Sequence, residues 1–243
     1  MKKFIKLVLN RFGIIAFMRS SHVYIPGEDS YQVAANLIGI IDPIVVDGGA
    51  HLGDMVDKFS SILPFSKFYC FEPDPDLAKL LLIKFKGNKN IHIVESALGD
   101  NAGKKIFNIN ASRPTNSLLY SSKYIDADLK KLCQVVKQVE VDVTTVDSYC
   151  STNSIEKIDL LKLDLQGFDF LALKGARESL AKTRVVIVEV MFKEIYQNCH
   201  LFPEILAFML EAGFYLYTLC GLKYGESSEL LWADAIFVRR EFD

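Results

Sequence analysis

"VVDGGAHLGD", residues 45–54, is the stretch on which the fold turns. Two β-branched residues run into Asp47, then into Gly48 and Gly49, and by Asp54 the pattern is that of a first helical turn. A strand that ends in glycines and hands over to a helix opens a βαβ unit, whose ligand lies beyond the carboxyl end of the strand. Glycines let a ligand approach the backbone closely, and the helix behind them offers free N–H groups.

Outward from this turn, short β-branched runs alternate with helical patterns. The candidate strands are IVVD (44–47), KFYCFE (67–72), IHIVES (91–96), IDLLKLD (158–164), VVIVEV (185–190), FYLYTL (214–219) and DAIFVR (234–239). Helical spacing falls near 53–62, 76–86, 168–174 and 203–211. Apolar runs without strict polar alternation suit strands covered on both faces, so an α/β fold is expected, a largely parallel sheet with helices on either side. Two segments break the rhythm. Residues 110–132 form a long polar excursion of the kind that serves as a lid or binding loop, and 138–150 reads as an edge strand leading into a short helix near Thr144.

Three ligands compete for the glycine turn. A P-loop would end in Gly-Lys-Ser/Thr, whereas Gly53 is followed by Asp54 and Met55. A dinucleotide fits better, because Gly48, Ala50 and Gly53 approximate the fingerprint and Glu72 stands where a ribose-binding acid belongs, followed by Pro73 and Pro75. Asp47 separates the two remaining candidates. An acid directly before the glycines repels a pyrophosphate and attracts a ligand carrying an ammonium and a sulfonium, which points to S-adenosylmethionine.

Charge and composition narrow the partners. The 243 residues carry a formal net charge of −2, so no global field holds the chain on nucleic acid. Lys2, Lys3, Lys6, Arg11 and Arg19 give the first 22 residues five basic groups and no acid, leaving 23 basic against 30 acidic residues beyond them. Phe4, Leu7, Val8, Phe12, Ile15 and Met18 recur there at helical spacing, so residues 1–40 read as a basic amphipathic helical extension. Such a helix can pack on its own domain, join a second subunit in an oligomer, or rest on an anionic membrane surface. The pattern is too interrupted for a spanning helix, and no signal peptide is read. Five scattered cysteines and four scattered histidines give no disulfide framework and no local metal spacing, so a cytoplasmic protein is expected and no metal ligand is assigned; a site built from distant Asp and Glu residues stays open.

With these residues in view, the chain resembles the FkbM-type family of S-adenosylmethionine-dependent methyltransferases over approximately residues 40–240. VVDGGAHLGD is similar to the family's first motif, FEPDPDLAKLL to its second, ESALGD to its third and IDLLKLDLQGFDFLALKGARESL to its fourth-strand block. VVIVEVMFKEIYQ is similar to the fifth block, and LFPEILAFMLEAGFYLYTL with WADAIFVRR to the closing helix and hairpin. The resemblance implies a Rossmann-like fold in residues 41–243, a seven-stranded sheet whose last strand, around Ala235 to Arg239, runs antiparallel. It implies O-methylation of a sugar, glycolipid or related natural product. It places Asp47, Gly48, Gly49, Ala50 and Gly53 around the methionine part, Glu72 with Pro73 at the ribose, Ala97 and Leu98 beside the adenine, and Asp164 at the reacting centre. Two positions depart from the family: His51 stands where Asn is usual, and Gln166 where Glu is common.

Methyl transfer to oxygen needs alignment and, for a poor nucleophile such as a sugar hydroxyl, a positioned base. Asp164, Glu189 and His51 are the candidates. Asn116, Ser117, Tyr120 and His200 are candidates for hydrogen bonds to the acceptor. The alternatives are a nicotinamide-dependent oxidoreductase and a cofactor-binding subunit without turnover.

Overall fold

The computed structural model describes residues 29–240. The expected helix at 1–22, and with it any membrane or subunit contact it makes, lies outside the described residues. All seven candidate strands join one sheet: β1 (Ile44–Gly48), β2 (Lys67–Phe71), β3 (Ile91–Val94), β7 (Ile158–Leu163), β8 (Thr183–Met191), β9 (Phe214–Tyr224) and β10 (Leu230–Arg239). Their order is β3-β2-β1-β7-β8-β10-β9, with β10 antiparallel to both of its neighbours. Strand order reverses between β1 and β7, so a crevice opens at their carboxyl ends.

Side-chain alternation divides the core between the two faces of this sheet. Val45, Leu160, Val185 and Ile187 pack against α1 (Ser30–Ile38), α2 (Asp54–Ile62) and α3 (Pro75–Lys84). Val46, Leu161, Leu163, Val186 and Val188 pack against α5 (Val146–Thr152), α6 (Asp169–Lys174), α7 (Arg177–Leu180) and α8 (Phe202–Glu211). Each fully buried Phe, such as Phe59 or Phe237, contributes about 1.5–3 kcal/mol. Helix α1, the described part of the 1–40 extension, packs into the first of these layers through Val33, Ala34, Ala35 and Ile38. The Asp29 carboxylate caps it by accepting from Tyr31 N, and Gly39 closes it with φ +64°.

Residues 138–150 do not form an edge of the main sheet. Strand β6 (Val135–Thr144) is instead the centre of a second, three-stranded sheet, between β4 (Ala97–Leu98) and β5 (Gly103–Asn110). Its Val141 and Val143 face a small core with Ala97, Phe107 and Ile109, while Gln138, Glu140 and Asp142 stay exposed. That one-sided burial is what the alternating QVEVDV pattern encodes. Strand β5 escaped the sequence reading because its first half, GKKI, is exposed. The 110–132 excursion folds back as a 3₁₀ turn (Arg113–Thr115) and a short helix, α4 (Ala127–Leu132), capped by Asp126. No helix among the described residues is long and apolar enough to cross a membrane.

Candidate active site

The crevice at the reversal point is a cleft of about 950 Å³, part of it continuous with solvent. The turn after β1 forms its floor. Gly49 N and Ala50 N both donate to Phe71 O at 3.0 Å, and Asp164 N donates to Gly48 O at 3.1 Å. Gly49 has φ +79°, and a Cβ there would lie 2.1 Å from Asp164 O. A glycine is therefore required where the β1 turn and the tip of β7 interlock.

At one end of the cleft stands Glu72, 4% exposed. Its Oε2 accepts from His51 N (2.7 Å) and its Oε1 from Asp74 N (2.8 Å). Burial pushes its pKa from 4.5 up to about 7, against the pull of the two backbone N–H groups. Each oxygen keeps acceptor capacity beyond its backbone bond, which suits a pair of ribose hydroxyls. Ala97 and Leu98 line the neighbouring wall with Phe107, Leu118 and Phe168, an apolar slot of the kind an adenine ring needs. Pro73, Ala50 and His51 also line the cleft.

At the other end, Asp164 lines the cleft with its carboxylate 40% exposed. Its Oδ1 accepts from Gln166 Nε2 at 2.7 Å. The same amide nitrogen donates to Glu189 Oε2 at 2.9 Å, and Gln166 Oε1 accepts from the Tyr196 hydroxyl at 2.6 Å. Glu189 is 8% exposed and does not line the cleft; it meets the site through Gln166. Burial, then the neighbouring Asp164, raise its pKa well above the carboxylate range.

Lys162, unremarked in the sequence reading, lies between the ends. Its ammonium is 3.1 Å from Asp47 Oδ1 and 3.8 Å from Asp164 Oδ2, and it donates to Gly48 O and Gly49 O. Burial alone would lower its pKa, but the Asp47 and Asp164 carboxylates outweigh burial and hold it above its ordinary value. Asp47 is fully buried and does not line the cleft. Its contact with Lys162 is an ion pair by distance without hydrogen-bond geometry at either oxygen. The charge expected to draw a cationic ligand is thus neutralised inside the protein, and Asp164 presents the carboxylate that the cleft exposes at this end.

Of the candidate acceptor contacts, Asn116 lines the cleft, and its amide is occupied: Nδ2 donates to Asp74 Oδ2 and Oδ1 accepts from Asn110 N. Ser117 is fully buried and donates to Gln166 O. Tyr120 lies outside the cleft, its hydroxyl accepting from Gln138, and His200 stacks on Phe170 with ring centroids 4.2 Å apart. The contacts of Asn116 and Ser117 fasten the excursion to Asp74 and Gln166. His51 does line the cleft, and burial lowers its imidazole pKa.

Sequence reasoning missed Lys162, Tyr31, Arg113, Phe107 and Phe168, all of which line the cleft. Lys162 had left a signal, a charge inside the fully buried run IDLLKL. Arg113 gave none: it pairs with Asp74 and Asp76, across a gap in sequence that only folding closes.

The Methyltransferase FkbM domain model matches residues 47–216, from the β1 turn into β9. The chain belongs to the FkbM methyltransferase family. It is therefore a methyltransferase whose cofactor is S-adenosylmethionine, which sets the nicotinamide alternative aside. It is 26% identical over 190 residues to the 2-O-methyltransferase NoeI of Sinorhizobium fredii (strain NBRC 101917 / NGR234), covering 70% of this chain and 73% of that one. It is 24% identical over 202 residues to the methyltransferase sdnD of Sordaria araneosa, covering 71% and 74%. Among solved structures, an rRNA methylase of Streptococcus thermophilus aligns with a TM-score of 0.49 at 13% identity, over 90% of this chain and 99% of that one.

Proposed function

We propose that this FkbM-family methyltransferase methylates a hydroxyl of a sugar, glycolipid or related natural product. Glu72 would hold the ribose, Ala97 and Leu98 with Phe107 and Phe168 the adenine, and the 49–53 turn with Asp164 the methionine part. S-adenosylmethionine, when bound, supplies a sulfonium-activated methyl group. The protein's share is to align the acceptor oxygen, exclude water and take a proton.

The observation that carries the reading is the Asp164 carboxylate, exposed to the cleft while Gln166 fixes one of its oxygens. The other oxygen, 3.8 Å from the Lys162 ammonium, would accept the hydroxyl proton as the methyl carbon leaves sulfur and bonds to oxygen. Glu189 acts behind it, and His51 is the second group at the wall that can take a proton. A relative that is a 2-O-methyltransferase favours oxygen as the acceptor atom.

The test is incubation with labelled S-adenosylmethionine and pools of sugars, glycolipids and polyol natural products. Label should appear in base-stable methyl ethers, and Asp164→Asn should slow it by about 10²–10⁴-fold. Label on amines or thiols would overturn the oxygen reading. Tight cofactor binding without turnover on any pool would favour a subunit without activity. A glycolipid acceptor would sit at a membrane surface, to which the basic, apolar pattern of residues 1–22 is suited. Co-sedimentation with anionic vesicles should then be lost when the chain begins at Asp29; equal binding by both chains would remove the membrane proposal.

A further inference from the structure

The turn that follows β7 is held in an unusual conformation. Gln166 has φ +53° and Gly167 φ +90°, and the Asp169 carboxylate accepts from Leu165 N (2.9 Å) and Gly167 N (3.1 Å). A left-handed non-glycine residue costs about 1–3 kcal/mol and persists only where its surroundings fix it. Here the backbone of Gln166 is fastened by the Ser117 hydroxyl, which donates to its carbonyl at 2.8 Å. Its side chain is fastened three times over. Both amide hydrogens are used, one on Asp164 Oδ1 and one on Glu189 Oε2, while Oε1 takes the Tyr196 hydroxyl. A flipped amide would set its oxygen against the Asp164 Oδ1 oxygen at 2.7 Å, so the contact with Asp164 selects the orientation with Nε2 toward it.

We propose that Gln166 is a positioning residue, whose amide, oriented by the Tyr196 hydroxyl, aims the Asp164 carboxylate into the cleft and couples it to the excursion that covers the site. The proposal rests on the placement of Asp164 at the methionine end. A glutamate at this position would set three carboxyl groups along two hydrogen bonds, and keeping both contacts would take one proton more than the unaltered site needs. Gln166 provides the same two contacts with no added charge, and it accepts the phenolic proton that fixes its orientation.

The titratable groups that feel the charge of Asp164 are Lys162 on β7, Asp47 on β1, His51 on the turn after β1, Tyr31 on α1, Glu189 on β8, Asp169 on α6, Asp234 on β10 and Tyr196. Among these, Gln166 hydrogen-bonds three partners at once: Asp164, Glu189 and Tyr196.

The test is the affinity for S-adenosylhomocysteine, measured by calorimetry from pH 6 to 9 on the full chain. Gln166→Glu adds a proton that an ammonium beside Asp164 must expel, so its affinity should fall about tenfold below that of the unaltered protein at pH 6.5 and return to within about threefold by pH 9. Gln166→Ala and Tyr196→Phe, which add no acid, should weaken binding by about three- to tenfold at every pH without a new step. Thermal unfolding confirms that each variant is folded, and Gln166→Ala keeps the test open if Gln166→Glu is not. Parallel profiles for Gln166→Glu and the unaltered protein, or unchanged affinity in both Gln166→Ala and Tyr196→Phe, would overturn the proposal. Asp164→Asn separates the two levels: if it binds as the unaltered protein does, the placement of Asp164 is wrong, whereas weak binding by Asp164→Asn with parallel Gln166 profiles removes only the role of Gln166.

Discussion

The Glu72 end of the cleft, proposed to hold the ribose, takes its working groups from two successive βα turns, and the backbone holds them: Glu72 is fixed by His51 N and Asp74 N. The Asp164 end, proposed as the reacting end, gathers Tyr31 from α1, Lys162 from β7, Asp164 and Gln166 from the turn beyond it, Glu189 from β8 and Tyr196 from the segment that follows, and side chains hold side chains. The first arrangement is local, so each contact stands nearly alone. The second is a network, in which removing one member leaves another buried group unpaired. Damage should therefore be confined at the ribose end and spread at the reacting end.

Lys162→Met gives the sharpest test of that contrast. It leaves Asp47 buried without a counter-charge and should cost about 3–5 kcal/mol in urea denaturation. Asp47→Asn in the same chain should restore at least half of the loss; additive costs for the two changes would show that the pair is not coupled. Gly49→Ala strikes where the two ends meet. A methyl group set against Asp164 O, at φ +79°, should cost about 2–4 kcal/mol and weaken cofactor binding at both ends together. Stability within about 0.5 kcal/mol of the unaltered protein would mean that the two strand tips are not interlocked. Tyr120→Phe removes only the bond from Gln138, outside the cleft, and should change stability and cofactor affinity by less than about 0.5 kcal/mol. A larger loss of methyl transfer than of stability would bring Tyr120 back as an acceptor contact.

The same contrast sets what the sequence could reveal. Val45 to Gly53 and Phe71 to Pro75 carry strand, turn and helix signals within a few residues, so the glycine turn, Glu72 and the main sheet were legible. Asp164 was legible as an acid at a strand tip. Gln166 appeared only as a departure from the family, because its value lies in Tyr196 and Glu189, which are remote in sequence. The sequence places Asp47 beside the glycines but does not show which way its charge faces; Lys162, in the middle of a fully buried strand, takes it up. Ser117, Tyr120 and His200 were polar residues in plausible places whose partners turned out to be Gln166, Gln138 and Phe170. Polarity alone does not separate a residue that binds a ligand from one that fastens a loop.

The most direct test of the whole account is calorimetric titration of S-adenosylhomocysteine at pH 6 and pH 8 into the unaltered protein and Glu72→Gln. In the free protein Glu72 holds a proton below about pH 7, and ribose hydroxyls favour the ionised carboxylate, so binding expels that proton. Affinity should rise about tenfold from pH 6 to pH 8 in the unaltered protein, while Glu72→Gln should bind about 10–100-fold more weakly at pH 8 and lose the rise contributed by this group. Equal affinities and equal pH dependence in the two proteins would contradict it.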